Sequence, residues 1–155
     1  AWGFGTRWRS FDGALGIDRH FYDRAKASGL PRRALETVAY QFDRLDGLTA
    51  NLQESSLKAM LTDIDTQATN IETMANAWRS GDTATLERLL FEGFTDSPEI
   101  AERLLFERNR NWVAPVEKCL AEGARCFVVV GAAHLVGPDS LVQLLRARKH
   151  TVEQQ

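Results

Sequence analysis

The chain is poor in several residue types. Among its 155 residues are two cysteines, two methionines, three histidines and four prolines. Two cysteines cannot build a disulfide scaffold, and the six residues between Cys119 and Cys126 are the wrong spacing for a zinc knuckle. These cysteines fall at the end of an expected helix and the start of an expected strand, so they are able to approach each other. Two buried free thiols are the expectation, and a bridge would argue for an oxidising compartment. Charge of neither sign dominates. Lys and Arg number 19 against 21 Asp and Glu, a formal net charge of −2 at pH 7, which leaves no electrostatic footprint for nucleic acid. The longest uncharged apolar run, residues 126–133, is too short to span a bilayer. There is no internal repeat and no low-complexity tract.

What remains is the balance of a globular protein, 44% hydrophobic and 26% charged, at a length that suits one domain. No leader is in view. The opening "AWGFG" without an initiator Met reads as part of a longer protein, so localisation stays open, with an extracytoplasmic setting favoured. Trp2, Phe4, Trp8 and Phe11 stand among glycines with no clear period, which suggests packing against something beyond the segment.

Helical signals dominate the rest. Asp18 is the expected N-cap of a helix to about Ser28, with Gly29 as its C′ residue and Pro31 beyond. Ala34, Leu35 and Glu36 read as a short extended piece before a helix from about Ala39 to Asp46. Asn51 and Glu54 fit a capping box. The apolar spacing that follows predicts one helix of about 27 residues closed by Gly81, roughly 40 Å long. Asp82 caps a shorter helix to Gly93. Ser97-Pro98-Glu99 starts another through Ile100, Leu104, Leu105, Arg108 and Trp112. Pro115 either kinks that helix or begins a new one, and Gly123 ends it. "CFVVV" then reads as a strand covered on both faces. Pro138 is expected to open a last helix, and "HTVEQ" to return as a strand, giving a β-α-β unit. The predicted fold class is therefore α/β: helix-rich, with a small mixed sheet, a C-terminal β-α-β unit and a long helical insert.

The stretch "RCFVVVGAAHLVGPDSLVQLL", residues 125–145, carries the main functional signal. His134 follows the strand at its carboxyl end, where open α/β sheets bind ligands. Gly131, Ala132 and Ala133 are small enough to admit backbone or ligand. His134 is either a metal ligand or general base in a cleft, or a structural histidine tying the turn to a neighbouring carbonyl. His20 and His150 read as surface residues. Glu36, at the end of the "ALE" piece, is a carboxylate able to bind metal or accept a proton, or an ordinary solvated glutamate. Arg108 shares the spacing of Leu104 and Leu105. It either points inward and needs an anionic partner or lies at the rim.

Taken together, "FVVVGAAHLVGPDSLVQLLRARKHTVEQ", "GIDRHFYDRAKASGLPRRALETVAYQFDRLDGL" and "LLFERNRNWVAPVE" resemble, in that family's order, the TraB/GumN family, which includes the Tiki proteins. The resemblance covers about residues 16–154. It implies an α/β protein with two G-x-x-H motifs, one in each half, a glutamate and an "RN" arginine. The second G-x-x-H falls on Gly131 and His134, the glutamate on Glu36 and the pair on Arg108-Asn109. The first G-x-x-H is absent, which implies that residues 1–155 are a single partial domain, the C-terminal portion of the family's domain. "ARKHT" replaces a more usual Gly-aromatic turn.

The resemblance implies a metal-dependent hydrolase, acting on a peptide or small ester with Mn, Co or Zn. His134 and Glu36 would hold the metal, and His134, Glu36 and Arg108 would carry the chemistry, with Arg108 holding Glu36 or stabilising negative charge. The alternative is a non-catalytic protein that binds or sequesters a peptide. On its own the chain is expected to be inactive, with a homo-oligomer through an exposed sheet edge as a further expectation.

Overall fold

A computed structural model describes residues 12–62, 64–95, 97–123 and 125–155. The aromatics of the opening segment, Trp2 to Phe11, lie outside the described residues. The described chain is helical and contains no strand. It forms two compact units, Ala1–Ala34 and Leu35–Gln155.

In the first unit a 3-10 turn, Gly13–Leu15, leads into α1, Ile17–Ala27. Gly16, not Asp18, is its N-cap; Asp18 lies in the first turn, where a negative charge meets the positive end of the helix. Gly29 ends the helix at φ +65°. Its N–H bonds to Lys26 and that of Leu30 to Ala25, the paired closure for which a left-handed glycine is suited.

The second unit begins with a bend at Leu35 and Glu36 in place of the expected extended piece. Thr37 then caps α2, Val38–Asp46, by accepting from the Tyr40 N–H at 3.1 Å. The next helical run is α3, Ala50–Thr62, and α4, Ile64–Ser80. Thr49 takes the capping position expected of Asn51, its hydroxyl accepting from Leu52 N–H at 3.4 Å. Gly81, at φ +72°, closes α4. α5, Thr83–Glu92, starts with Asp82 Oδ1 accepting from Thr85 N–H at 3.0 Å. Ser97 and Pro98 open α6, Pro98–Ala101. That helix runs through a π turn, Glu102–Phe106, into α7, Glu107–Ala121, which passes through Pro115 without ending. π turns inside α-helices often mark functional positions. After a 3-10 turn at Ala132–His134 the chain ends with α8, Leu141–Ala147. Ser140, not Pro138, sets its start: the serine hydroxyl accepts from Gln143 N–H, and Pro138 lies inside the turn closed by Ser140 N–H to Gly137 C=O.

The expected α/β fold is thus corrected to a helical one, 67% helical and without a sheet among the described residues. "CFVVV" and "HTVEQ" have no regular secondary structure and belong to no ladder among the described residues. Residues 128–130 make no hydrogen bond there. Their β-branched side chains favour extension, but a strand is a paired object, and no described segment pairs with them. The two cysteines are also corrected: Cys119 and Cys126 form a disulfide, linking the last turn of α7 to the "CFVVV" segment.

Two apolar clusters hold the second unit. One joins Trp112, Val113 and Val116 of α7 to Leu141 of α8, with Leu35 and Val130 against it. The other joins Ala77 of α4, Leu86 of α5 and Val136 after the histidine turn. The histidine turn therefore lies where α5, the π turn and α7 converge.

Candidate functional site

The first two turns of α7 organise the site. Residues four apart share a helix face, so Arg108 and Trp112 point one way together. Both meet Glu36. Arg108 Nη2 donates to Glu36 Oε1 at 2.7 Å and Nε to Oε2 at 3.1 Å, a two-pronged contact. The indole Nε1–H of Trp112 donates to Oε2 at 3.2 Å. Arg108 Nη1 donates to the Leu104 carbonyl at 2.9 Å, and the guanidinium lies 4.9 Å from the Trp112 ring centre. Arg108 points inward and its anionic partner is Glu36. Only 15% and 12% of the two side chains is exposed, so water screens this pair less than it screens a surface pair.

Neighbouring positions on α7 hold α2, and so the Glu36 bend, in place. Glu107 accepts from Tyr40 Oη at 3.2 Å and from Arg44 Nη1 at 2.6 Å. Asn111 Nδ2 donates to Tyr40 Oη at 2.9 Å. Arg103, in the π turn, donates to the carbonyls of Asp43 and Arg44 at the end of α2. With α2 fixed against α7 at several points, Glu36 faces Arg108 and Trp112 directly.

His134 approaches from the other side of Trp112. The two rings are 4.5 Å apart, centre to centre, and tilted by 48°. Nδ1 lies 2.6 Å from Asn109 Oδ1. Asn109 is fully buried, and its Nδ2 donates to the Asp139 carbonyl at 2.9 Å. Nε2 has no hydrogen-bond partner among the described residues. Burial, joined by the Arg108 charge and partly opposed by Glu36, pushes the ring below the ordinary 6.5, to about 4. The ring is neutral at physiological pH.

Glu36, Arg108 and His134, all named from sequence, thus gather around Trp112. Two further members were not assigned a role. Trp112 read as a core residue of the helix face, and Asn109 as half of an "RN" pair. The i+4 spacing from Arg108, which puts both side chains on one helix face, was the available signal for Trp112; Asn109 had none beyond its neighbour. The remaining histidines are elsewhere. His20 is exposed on α1, edge-on to Phe21 at 5.3 Å. His150 Nε2 lies 3.0 Å from Glu117 Oε1, and Arg148 takes the other oxygen at 3.0 Å, so this trio ties the final turn to α7.

As a metal centre the cluster is incomplete. Among the described residues no three of His, Cys, Asp and Glu gather where they could hold an ion, whereas a structural or catalytic zinc takes three or four protein ligands. His134 offers Nε2. Glu36 accepts three hydrogen bonds, which leaves about one of its four lone-pair positions. A shallow apolar groove between α2 and α3, lined by Phe42, Leu45, Leu48 and Leu57, includes none of these groups. No helix among the described residues is long and apolar enough to cross a membrane.

No curated protein and no solved structure matches the chain. A family model does: the one described as the TraB/PrgY/gumN family matches residues 7–154, a span that takes in Glu36, the Arg108-Asn109 pair and His134. The chain belongs to the TraB/PrgY/gumN family.

Proposed function

We propose that this chain carries part of a metal-dependent hydrolase site that acts on a peptide or small ester carbonyl. The observation that supports it is the state of His134. The ring is neutral, one nitrogen is engaged by a buried amide, and the other has no hydrogen-bond partner among the described residues. A metal ligand needs this arrangement: a free lone pair on one nitrogen and a fixing partner on the other. A general base fits less well, because a ring held at about 4 is a weak proton acceptor at neutral pH.

In this reading His134 Nε2 and Glu36 are the two donors that this chain contributes, and further ligands come from outside the described residues. A bound divalent cation such as Mn, Co or Zn supplies Lewis acidity and lowers the pKa of water. Arg108 sets the Glu36 carboxylate and places a fixed positive charge beside the site, where it stabilises negative charge developing on a carbonyl oxygen. Glu36, already accepting from Arg108 twice and from Trp112 once, serves as a ligand and anchor better than as a mobile base. The Cys119–Cys126 disulfide supports an oxidising, extracytoplasmic setting.

The test is hydrolysis of ester and peptide substrates by the natural full-length protein, with Mn²⁺, Co²⁺ or Zn²⁺ added after chelation. Metal-dependent turnover that falls at least about 100-fold in His134→Ala and Glu36→Ala is expected. Turnover unchanged in both variants refutes the reading.

One observation favours a second reading, a peptide-binding protein without turnover. Residues 128–130 carry no regular secondary structure and make no hydrogen bond among the described residues, which leaves backbone donors and acceptors to which an extended peptide can add as a strand. Peptide bound at saturation with no product, with or without metal, selects it.

A further inference from the structure

Asn109 occupies a position that explains which nitrogen of His134 is available. Its side chain is fully buried, so its amide must find partners within the protein. Its Nδ2 donates to the Asp139 carbonyl at 2.9 Å, in the turn before α8. A carbonyl can only accept. Rotating the amide by half a turn would set Asn109 Oδ1 against that carbonyl, two acceptors face to face, and would leave a buried acceptor unsatisfied. The Asp139 carbonyl thus dictates the orientation of the amide. With Nδ2 assigned, the atom that faces His134 Nδ1 at 2.6 Å is Oδ1, an acceptor. Nδ1 must then carry the hydrogen, and a neutral imidazole holds only one.

From this chain of contacts we infer that Asn109 is a positioning residue that locks His134 in the Nδ1–H tautomer, leaving the lone pair on Nε2. The information passes from the Asp139 backbone through Asn109 to the ring. Trp112, its ring 4.5 Å from the imidazole and tilted by 48°, restricts the plane of the ring, and the histidine turn has its own closure, His134 N–H to Gly131 C=O at 2.9 Å. Ring position, ring plane and tautomer therefore have separate determinants. Asn109 sets the last. The adjacent Arg108 holds Glu36, so consecutive residues of α7 prepare the two candidate donors.

The inference deepens the hydrolase reading, but it makes a prediction that needs no metal and no substrate. The ¹⁵N shifts of His134 in the wild-type protein, measured by long-range ¹H–¹⁵N correlation at a pH where the ring is neutral, should show a protonated Nδ1 and an unprotonated Nε2. An Nε2–H ring, or an exchange-averaged mixture of the two forms, overturns the inference without any variant having to fold. Asn109→Asp keeps an acceptor opposite Nδ1 and should keep the Nδ1–H form even if it is less stable. Asn109→Leu removes the acceptor and should give a mixture or the other tautomer; a pure Nδ1–H ring in folded Asn109→Leu overturns the role of Asn109. Co²⁺ alone is the second probe. If the wild type binds it, Asn109→Leu should weaken binding by about 10- to 100-fold. If the wild type does not bind it while its ring is in the Nδ1–H form, the metal reading fails and the tautomer assignment stands.

Discussion

His134 makes stability depend on pH in a way that can be worked out in advance. The ring is 6% exposed and its pKa is lowered from 6.5 to about 4, chiefly by burial. In the unfolded chain the ring takes up a proton near 6.5; in the folded protein it resists until about 4. Above 6.5 both states hold a neutral ring and His134 adds no pH dependence. As pH falls through this window the unfolded state binds the proton first, so the folded state loses ground, and the loss is complete below the folded value. The interval at about 1.4 kcal/mol per unit amounts to roughly 3 kcal/mol, equivalent to a fall in Tm on the order of 10 °C for a chain of this size. Carboxylates titrate in the same range, so the effect is read as a difference. Urea unfolding of the wild type and of His134→Gln should be compared at pH 7.5 and pH 4. The variant has no ring to protonate, so the stability of the wild type relative to it should fall by about 3 kcal/mol between the two conditions. A relative stability that changes by less than about 0.5 kcal/mol would mean that the ring is not held neutral by burial. The account of Nε2 as a lone-pair donor would then lose its electrostatic basis.

Other outcomes follow from the same contacts. A double-mutant cycle on Glu36→Gln and Arg108→Met should give a coupling of about 2 kcal/mol in denaturant unfolding, between the values for surface pairs and sealed ones; a coupling near zero would show the pair to be solvent-screened. Gly137 sits at φ +85°, and an added Cβ would lie 3.4 Å from Phe91 Cε2. That is an ordinary contact, so Gly137→Ala should cost about 1–2 kcal/mol for the left-handed backbone, measured by thermal unfolding, and Gly123→Ala, at φ +67° with no neighbouring atom, should cost about the same. Reduction of Cys119–Cys126 opens a short loop with a sequence separation of seven and should lower stability by about 2 kcal/mol. Unchanged unfolding in the presence and absence of dithiothreitol would refute that bond.

Local signals and long-range ones fared differently. Gly29, Gly81, Gly93 and Gly123 each stand at the end of a helix, and Asp82 and Pro98 at the start of one, because capping is decided by a few adjacent residues. Asn51 lost its expected cap to Thr49, two residues earlier, since both types can cap and only the local backbone decides between them. "CFVVV" carries strand composition, but composition specifies extension and not pairing. A ladder needs a second segment at 4.7–4.9 Å spacing, and among the described residues none supplies it.

By itself the sequence determined the helical punctuation, the family, and three of the residues that meet at the site: Glu36, Arg108 and His134. These are properties of residue type and local spacing. The tertiary structure alone decided that Arg108 faces Glu36, that Trp112 stands between Glu36 and His134, and that the buried Asn109 amide takes its orientation from the carbonyl of Asp139. Each of these is a contact between residues far apart in the chain, up to 76 positions for Trp112 and Glu36. The packing of α2 and the histidine turn against α7 creates them, and no periodicity along the chain encodes which face of one element meets which atom of another.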